Sequence, residues 1–303
     1  MANIPSWVYK LLIVLATIIW GFSFVVMKDV VAVLPPAWLL GMRFLFAGAL
    51  LLVILRKRVM RFCSRKVVTY GFILGVLDFT AFWLQTVGLK HTTPGINAFL
   101  TATYCVLVPF AWWLIARKRP TAFNIVAAIV AVCCIWLVSV SSSGETLSIG
   151  FGEAMTLGCA VAFAAHIVAV SKFAQKCDAL VLTVFQFIAE GALGIIFGAA
   201  TETFPGIAVL TPEIIGQMLF LAVFASVVAF GIQNVSLAHV PPTQASLLLS
   251  LESVFGVVFS ILLYGEQMTL RLVVGFVLIF AAIVISETLP LKEKPCRRKT
   301  TSS

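Results

Sequence analysis

Residues 81–100 read AFWLQTVGLKHTTPGINAFL, and residues 229–248 read AFGIQNVSLAHVPPTQASLL. Eight of the twenty positions are identical when the two stretches are aligned at an offset of 148 residues. Identities at glutamine, histidine and proline are harder to attribute to an apolar composition than those at alanine, valine and leucine. The identical pairs are Ala81/Ala229, Phe82/Phe230, Gln85/Gln233, Val87/Val235, Leu89/Leu237, His91/His239, Pro94/Pro242 and Leu100/Leu248. The chain therefore contains an internal repeat.

In each half of the chain, the repeat joins the end of one apolar segment to the start of the next. Pro94 and Pro242 begin the second segment, where proline suits the first helical turn. Each repeat unit holds five apolar segments, an odd number, so the second unit must enter the membrane from the opposite side. Inverted repeats of this kind are typical of secondary transporters, whose two halves move around a site near the middle of the bilayer.

The composition points to the same environment. Hydrophobic residues make up 61% of the 303 residues and charged residues only 11%, whereas soluble domains are about 45–50% apolar and about 25% charged. The net charge is +9, but the basic residues form short clusters between apolar runs. That pattern indicates membrane topology rather than nucleic-acid binding. The expected partners are the lipid bilayer and a small-molecule substrate.

Ten apolar runs are long enough to cross a hydrocarbon core of about 30 Å, which takes about 20 helical residues. The runs are 7–27, 35–55, 67–89, 94–116, 121–141, 149–171, 178–200, 213–237, 242–264 and 269–288. They predict an all-α integral membrane protein of ten transmembrane helices, arranged as two inverted five-helix repeats. The predicted units are residues 7–141 and 149–288. A basic cytoplasmic tail, residues 289–303, has a composition typical of disorder.

The distribution of lysine and arginine predicts the orientation. With the N-terminus in the cytoplasm, seventeen of these residues fall in inner segments and three, Lys28, Lys90 and Arg271, in outer segments. The remaining one, Arg43, lies inside the second run. Cytoplasmic loops carry such an excess, so both termini are expected in the cytoplasm.

An ionisable residue at the centre of a membrane helix costs about 2.5–3.5 kcal/mol on insertion scales, and such residues usually face a cavity. Five are candidates for the site: Arg43, Asp78, His166, Glu190 and Glu252. Acids with an arginine and a histidine around one cavity are suited to a zwitterion such as an amino acid. The alternative is structural: Arg43 pairs with an acid and holds helices together. A structural or lipid-interface role is favoured for Glu190, and packing and proton transfer are equally open for His166.

Neutral polar and aromatic residues extend the candidate lining. Those selected are Trp20, Asn97, Thr101, Tyr104, Phe163, Gln186 and Gln233. Asn97, Thr101 and Tyr104 are spaced four and three residues apart, so a continuous helix would present them on one face. Each aromatic residue also fits a packing or lipid-facing position. The fifth and tenth runs carry no ionisable residue between their ends and are expected at the periphery.

Other functional classes find little support in the sequence. Aspartate occurs only at positions 29, 78 and 178, without the pairing of metal-dependent membrane transferases. No HExxH, Gly-x-Ser-x-Gly or Walker A motif is present. The seven cysteines lack metal-ligand spacing and are expected to be reduced. No cofactor, metal or nucleic acid is therefore expected, an intramembrane enzyme is disfavoured, and an uncoupled facilitator remains the main alternative. No oligomeric state is predicted.

Several segments resemble the drug/metabolite transporter superfamily, EamA type. They are Trp20-Gly-Phe-Ser-Phe-Val-Val-Met-Lys28, Arg43-Phe44, Leu251-Glu-Ser-Val-Phe255 and Tyr264-Gly-Glu266. The resemblance covers about residues 7–288 as two EamA-like units. It implies ten helices with both termini cytosolic, a central cavity, a bacterial inner membrane, and export or exchange of amino acids, other metabolites or drugs.

The resemblance also extends to individual residues at family motif positions. Trp20, Arg43 and Glu252 match family motif positions, and Glu266 matches a helix-ending position. The second half departs from the pattern, because residues 163–166 read FAAH where residues 20–23 read WGFS. We expect this asymmetry to bear on substrate choice. The expected mechanism is alternating access, with Glu252, Asp78 or His166 as the carrier if a proton is coupled.

Overall fold

The computed structural model describes residues 5–117, 120–139, 150–240 and 242–267, and beyond them residues 270, 273–275, 277–278 and 280–281. The described residues are helical with short connections. In chain order the helices are α1 (Ser6–Val33), α2 (Pro36–Ile54), α3 (Arg56–Phe62), α4 (Arg65–His91), α5 (Pro94–Thr101), α6 (Tyr104–Ala116), α7 (Ala122–Ser139), α8 (Phe151–Ala174), α9 (Ala179–Thr201), α10 (Pro212–Ala222), α11 (Ala229–Leu237), α12 (Pro242–Leu249) and α13 (Leu251–Phe259). A 3₁₀ turn covers Ile207–Val209, and π-helical turns cover Val223–Val228 and Ser260–Tyr264.

Eight stretches of the described chain are long and apolar enough to cross a membrane. They are Ser6–Val33, Pro36–Ile54, Arg65–His91, Pro94–Leu114, Phe151–Ala174, Ala179–Thr201, Pro212–Leu237 and Ala245–Tyr264. These stretches confirm a multi-pass, all-helical membrane protein. The fifth predicted run corresponds to α7, and most of the tenth run and the tail 289–303 lie outside the described residues. Ten helices in two inverted halves therefore stay a prediction.

Helix starts follow ordinary capping chemistry. Thr93 and Asp178 accept hydrogen bonds through their side chains from the backbone N–H of Ile96 and Val181, at 3.3 and 3.2 Å. Pro94 occupies the first turn of α5, where its missing N–H removes no helical bond. These local signals place the helix boundaries at the positions that the sequence predicts.

Two membrane-spanning stretches are interrupted, and the interruptions lie at equivalent places in the repeat. One falls at residues 102–103, between α5 and α6, and the other at Ser250, between α12 and α13. At each break a hydroxyl donates to a carbonyl three residues back: Thr103 to Leu100 and Ser250 to Leu247, both at 2.6 Å. Such bonds let a broken helix exist in a bilayer, because freed carbonyls still find donors. Transporter sites are often built at such breaks.

Glycine allows close contact between helices of the two halves. A Cβ atom added at Gly194 on α9 would lie 2.5 Å from the backbone nitrogen of Gly41 on α2. One added at Gly75 on α4 would lie 2.7 Å from Cβ of Ala189 and 3.0 Å from the nitrogen of Glu190. These distances exclude larger side chains, so the glycines bring the backbones of α2, α4 and α9 together.

Charged side chains join the two halves at both ends of the helices. At one end, the Glu202 carboxylate accepts from the backbone N–H of Ala37 at 3.0 Å, and Glu266 accepts from the N–H of Gly95 at 3.0 Å. At the opposite end, Arg58 pairs with Asp178 at 2.8 Å. Glu266 thus stabilises the start of α5, whereas the family resemblance placed it only at the end of its own helix.

Candidate functional site

A central pocket lies between six helices, three from each half of the chain. Its free volume is about 40 Å³, which is enough for water molecules but well below the range of about 300–1,000 Å³ usual for occupied small-molecule sites. Its lining comes from α1 (Trp20, Ser23, Phe24 and Met27), α4 (Phe82 and Gln85), α6 (Tyr104), α8 (Phe163, His166 and Ile167), α11 (Phe230 and Gln233) and α13 (Glu252). The position of the pocket between the two halves suits a solute site, and its walls must move apart to admit a solute.

Aromatic rings form most of its walls and hold one another in edge-to-face contact. Trp20 lies 5.1 Å from Phe230, and Phe82 lies 5.1 Å from Phe163, centroid to centroid. The indole N–H of Trp20 donates to the carbonyl of Ala225 at 2.8 Å. That carbonyl lies in a π-helical turn, where the regular helical hydrogen bonding is interrupted. The indole ring is thus held in place at the pocket wall.

Polar groups are few and come from both halves. Tyr104 and Glu252, which lie within two residues after the two helix breaks, are in hydrogen-bonding contact. Gln85 donates to the hydroxyl of Thr101 at 3.2 Å, which orients its amide. Gln233 and the imidazole of His166 also reach the pocket. One carboxyl group among aromatic rings and amides is suited to an amine-bearing ligand.

The 148-residue offset relates residues that line the same pocket. Phe82/Phe230 and Gln85/Gln233 are identical pairs, and both members of each pair line the pocket. Tyr104 and Glu252 occupy the same offset although their residue types differ. The repeat identities were therefore a signal for Phe82, Gln85 and Phe230, which the selection of candidates from the sequence missed. Ser23, Phe24, Met27 and Ile167 were missed as well, and no sequence pattern distinguishes them.

A second polar cluster lies behind the pocket and is fully buried. Gln186 donates to Asp78 Oδ2 at 2.6 Å, and Asn234 donates to the amide oxygen of Gln186 at 3.2 Å. The His166 Nδ1 atom lies 3.6 Å from Asp78 Oδ1. Glu190 faces Asp78 and Arg43. His166 belongs to both the cluster and the pocket lining, so it connects the two.

Arg43 makes its bonds away from the acids. Its guanidinium donates to Ser226 Oγ at 2.8 Å and to the carbonyl of Ala225 at 3.4 Å. It also lies 4.7 Å and 5.1 Å from the ring centroids of Phe44 and Phe82. Within the part of the chain that the structure describes, no carboxylate comes within ion-pair distance of it, so the simple pairing considered for Arg43 is not seen. Its charge still acts on Asp78 and Glu190 through the low-dielectric interior.

The candidates selected from the sequence thus separate into three groups. Those at the pocket are Trp20, Tyr104, Phe163, His166, Gln233 and Glu252. Those in the buried cluster are Arg43, Asp78, Gln186 and Glu190, the last of which is fully buried and does not face lipid. Asn97 and Thr101 form a third group, because they bond between helices: Asn97 donates to Thr156 Oγ1 at 2.8 Å, and Thr101 accepts from Gln85.

Among the described residues, no group of three or more histidine, cysteine, aspartate or glutamate side chains is arranged to hold a metal ion.

Comparisons with known proteins cover most of the chain and agree with one another. The model of the EamA-like transporter family matches residues 7–140 and 150–288. An "Uncharacterized transporter" from Archaeoglobus fulgidus is 29% identical over 89% of this chain and 83% of its own length. The "Uncharacterized transporter YvbV" of Bacillus subtilis is 26% identical over 95% of this chain and 94% of its own. One solved structure, 15% identical, covers 95% of this chain and 99% of that chain with a TM-score of 0.71, and so shares the fold.

Proposed function

Because this chain belongs to the EamA-like transporter family, we propose that it is a secondary transporter that exports or exchanges small metabolites such as amino acids, or drugs, by alternating access. The chain is a multi-pass membrane transporter, and the family and its named relatives indicate a transporter rather than an enzyme. The proposal adds the substrate class, the direction and the mechanism. It places the protein in a bacterial inner membrane with both termini in the cytoplasm, as the charge distribution favours.

The observation that carries the proposal is the central pocket shared equally by the two halves. Glu252 supplies one carboxylate to it, and Trp20, Phe82, Phe163 and Phe230 supply ring faces. Carboxylates and aromatic faces both attract ammonium groups. The amides of the pocket are donors for a carboxylate at the other end of the same molecule. An amino acid with an apolar side chain satisfies all three features.

Alternating access requires that the two ends of the molecule open in turn. The carboxylates of Glu202 and Glu266 join the halves at one end, and the Arg58–Asp178 pair joins them at the other. We propose that residues 7–141 and 149–288 move as two units and exchange these contacts around the pocket. If the contacts at one end break only while those at the other end are intact, the pocket is always closed to one side of the membrane.

Ligand binding to the purified protein is the direct test of substrate class. A ligand that binds the folded state raises its melting temperature, so a screen of amino acids, sugars, nucleosides and amine drugs will rank the classes. We expect shifts with amino acids or amines that are lost in Glu252→Gln and kept in the matched control Glu153→Gln, whose residue lies at the start of α8 away from the pocket. Shifts only with sugars or nucleosides would contradict the proposed class.

Transport is tested with the same ligand in proteoliposomes. We expect uptake that depends on the pH gradient and that falls in Glu252→Gln and Asp78→Asn. Identical rates with and without the gradient would favour the uncoupled facilitator. If both variants transported normally, the assignment of the pocket and of its neighbouring cluster would be wrong.

A further inference from the structure

We propose that Asp78 and Glu190 together hold one exchangeable proton, and that His166 carries it between this pair and the substrate pocket. The inference rests on the proposed transport function and adds the ion and its path. It assigns the buried cluster behind the pocket a role of its own, as the binding site of the coupling ion.

The pair is placed by close packing of α4 against α9. Asp78 and Glu190 are both 0% exposed. Gly75, one turn before Asp78, leaves so little space that an added Cβ would lie 3.0 Å from the nitrogen of Glu190. The two carboxyl groups interact directly in a dry interior, where like charges at short distance cannot both be stable.

A count of donors leads to the same conclusion. Gln186 donates to Asp78 Oδ2, and its amide is held in that orientation because Asn234 donates to its oxygen. No N–H or O–H group of the described residues donates to Asp78 Oδ1 or to either oxygen of Glu190. Buried polar atoms without partners are costly. A proton on one of the two carboxyls supplies the missing donor, since the other carboxyl lies within hydrogen-bonding reach.

Charge balance selects one proton rather than none or two. The charged or titratable groups that face the pair are Arg43 from α2 and His166 from α8. Gln186 from α9 and Asn234 from α11 are neutral. With one shared proton and a neutral imidazole, the cluster has one negative and one positive charge and is neutral overall. An alkali cation in place of the proton would be repelled by the positively charged guanidinium of Arg43.

His166 connects the pair to the pocket. Its Nδ1 lies 3.6 Å from Asp78 Oδ1, and its Nε2 has no hydrogen-bond partner among the described residues although the side chain is 1% exposed. An imidazole can accept a proton on one nitrogen and release one from the other. In the proposed step, the O–H bond of the acid breaks and an N–H bond forms at Nδ1. The Nε2–H is then released to the Glu252 carboxylate in the pocket, and no electrons are exchanged.

The step predicts the direction of coupling. Loss of the proton leaves two carboxylates against one guanidinium, so the cluster becomes negative by one charge. A negative cluster next to the pocket favours binding of a substrate with an ammonium group, whereas a protonated, neutral cluster does not. Proton and substrate would therefore compete, and the transporter would exchange protons for substrate across the membrane.

Infrared spectroscopy of the purified protein tests the proton site without any substrate. At neutral pH, we expect the carbonyl stretch of a protonated carboxyl group that shifts in deuterium oxide. It should be lost in Glu190→Gln and in Asp78→Asn, and kept in Glu252→Gln and in the control Glu153→Gln. A wild-type spectrum without such a stretch, or a stretch lost only in Glu252→Gln, would overturn the site. If the cluster variants fail to fold, the wild type and Glu252→Gln still decide, because a stretch that survives in Glu252→Gln does not come from Glu252.

Proteoliposomes loaded with a pH-sensitive dye test the relay. With a gradient of mixed L-amino acids as the probe, we expect proton movement opposite to amino-acid flux in the wild type. Glu190→Gln should lose proton movement but keep amino-acid counterflow, and His166→Gln should lose proton movement. Amino-acid flux without proton movement, or flux driven by sodium alone, would overturn the relay and leave the transport proposal standing. The infrared signal without amino-acid flux would instead contradict the substrate proposal and leave the proton site standing.

Discussion

The central pocket and the Asp78–Glu190 cluster are neighbouring polar regions inside the same helices, but they satisfy their polar groups differently. The pocket leaves space beside Glu252, so a ligand or water can complete its hydrogen bonding. In the cluster Asp78 and Glu190 are fully buried, so Gln186, Asn234 and the acids themselves must supply the hydrogen bonds. Burial of an ionisable group in a membrane helix therefore does not by itself indicate a ligand site. A substitution in the cluster should affect stability first, and one in the pocket should affect binding first.

Replacement of Arg43 should have the largest effect, because it removes the positive charge that balances the acids. We expect Arg43→Leu to lower the free energy of unfolding by about 3–5 kcal/mol, the usual loss when a buried charge loses its counter-charge. Denaturation by sodium dodecyl sulfate in mild detergent measures it. The loss should shrink at acidic pH, since protonation of the second carboxyl removes the uncompensated charge.

The matched control is Arg58→Ala, which removes the Arg58–Asp178 pair at the end of the helices. The Arg58 side chain is 45% exposed, and exposed pairs contribute about 0–1 kcal/mol. Equal losses for the two arginine variants would mean that the cluster is not the electrostatic centre described above.

Glu252→Gln should act on the pocket in the opposite way, with a large change in binding and little change in stability. A hydrogen bond to a charged group contributes about 1.5–3 kcal/mol, so ligand affinity should fall by roughly 10- to 150-fold. Titration of a ligand found in the melting screen measures the affinity. A loss of stability as large as that of Arg43→Leu, with affinity unchanged, would place Glu252 with the cluster rather than the pocket.

Gly75→Ala tests whether close packing sets the geometry of the cluster. The added methyl group meets Ala189 and the carbonyl of Gln186 at 2.7 Å, and overpacking of this kind costs about 1–3 kcal/mol. Gly216→Ala on α10 is the control, since nothing lies within 4 Å of its added Cβ. The unfolding free energies of the two variants, measured side by side, should differ; similar values would show that α4 and α9 can separate at little cost.

Trp20→Phe should have the smallest effect. It keeps the aromatic wall but removes the indole bond to the Ala225 carbonyl. A buried hydrogen bond of this kind contributes about 0.5–1.5 kcal/mol, and the loss should appear in ligand affinity through a less ordered pocket wall. Phe163→Leu, in the corresponding segment of the second half, is a suitable comparison. An effect of Trp20→Phe larger than that of Glu252→Gln would reverse the ranking of the pocket groups.

Spacing arguments from the sequence worked where a helix is continuous and failed where it is broken. Asn97, Thr101 and Tyr104 share a face only if their helix is regular, but the break at residues 102–103 separates Tyr104 from the other two. Tyr104 consequently reaches the pocket, and Asn97 and Thr101 bond to neighbouring helices. The break was not predicted because residues 101–103 contain no proline or glycine.

The sequence by itself determined that this is a helical membrane protein with an internal repeat, because hydropathy and repeated residues are properties of the chain in order. It also identified most of the polar residues that matter. Only the tertiary structure decided which of them meet: Glu252 with Tyr104 at the pocket, and Asp78 with Glu190 and His166 behind it. The physical reason is that side chains far apart in the chain become neighbours through helix packing, and local periodicity carries no information about which helices touch.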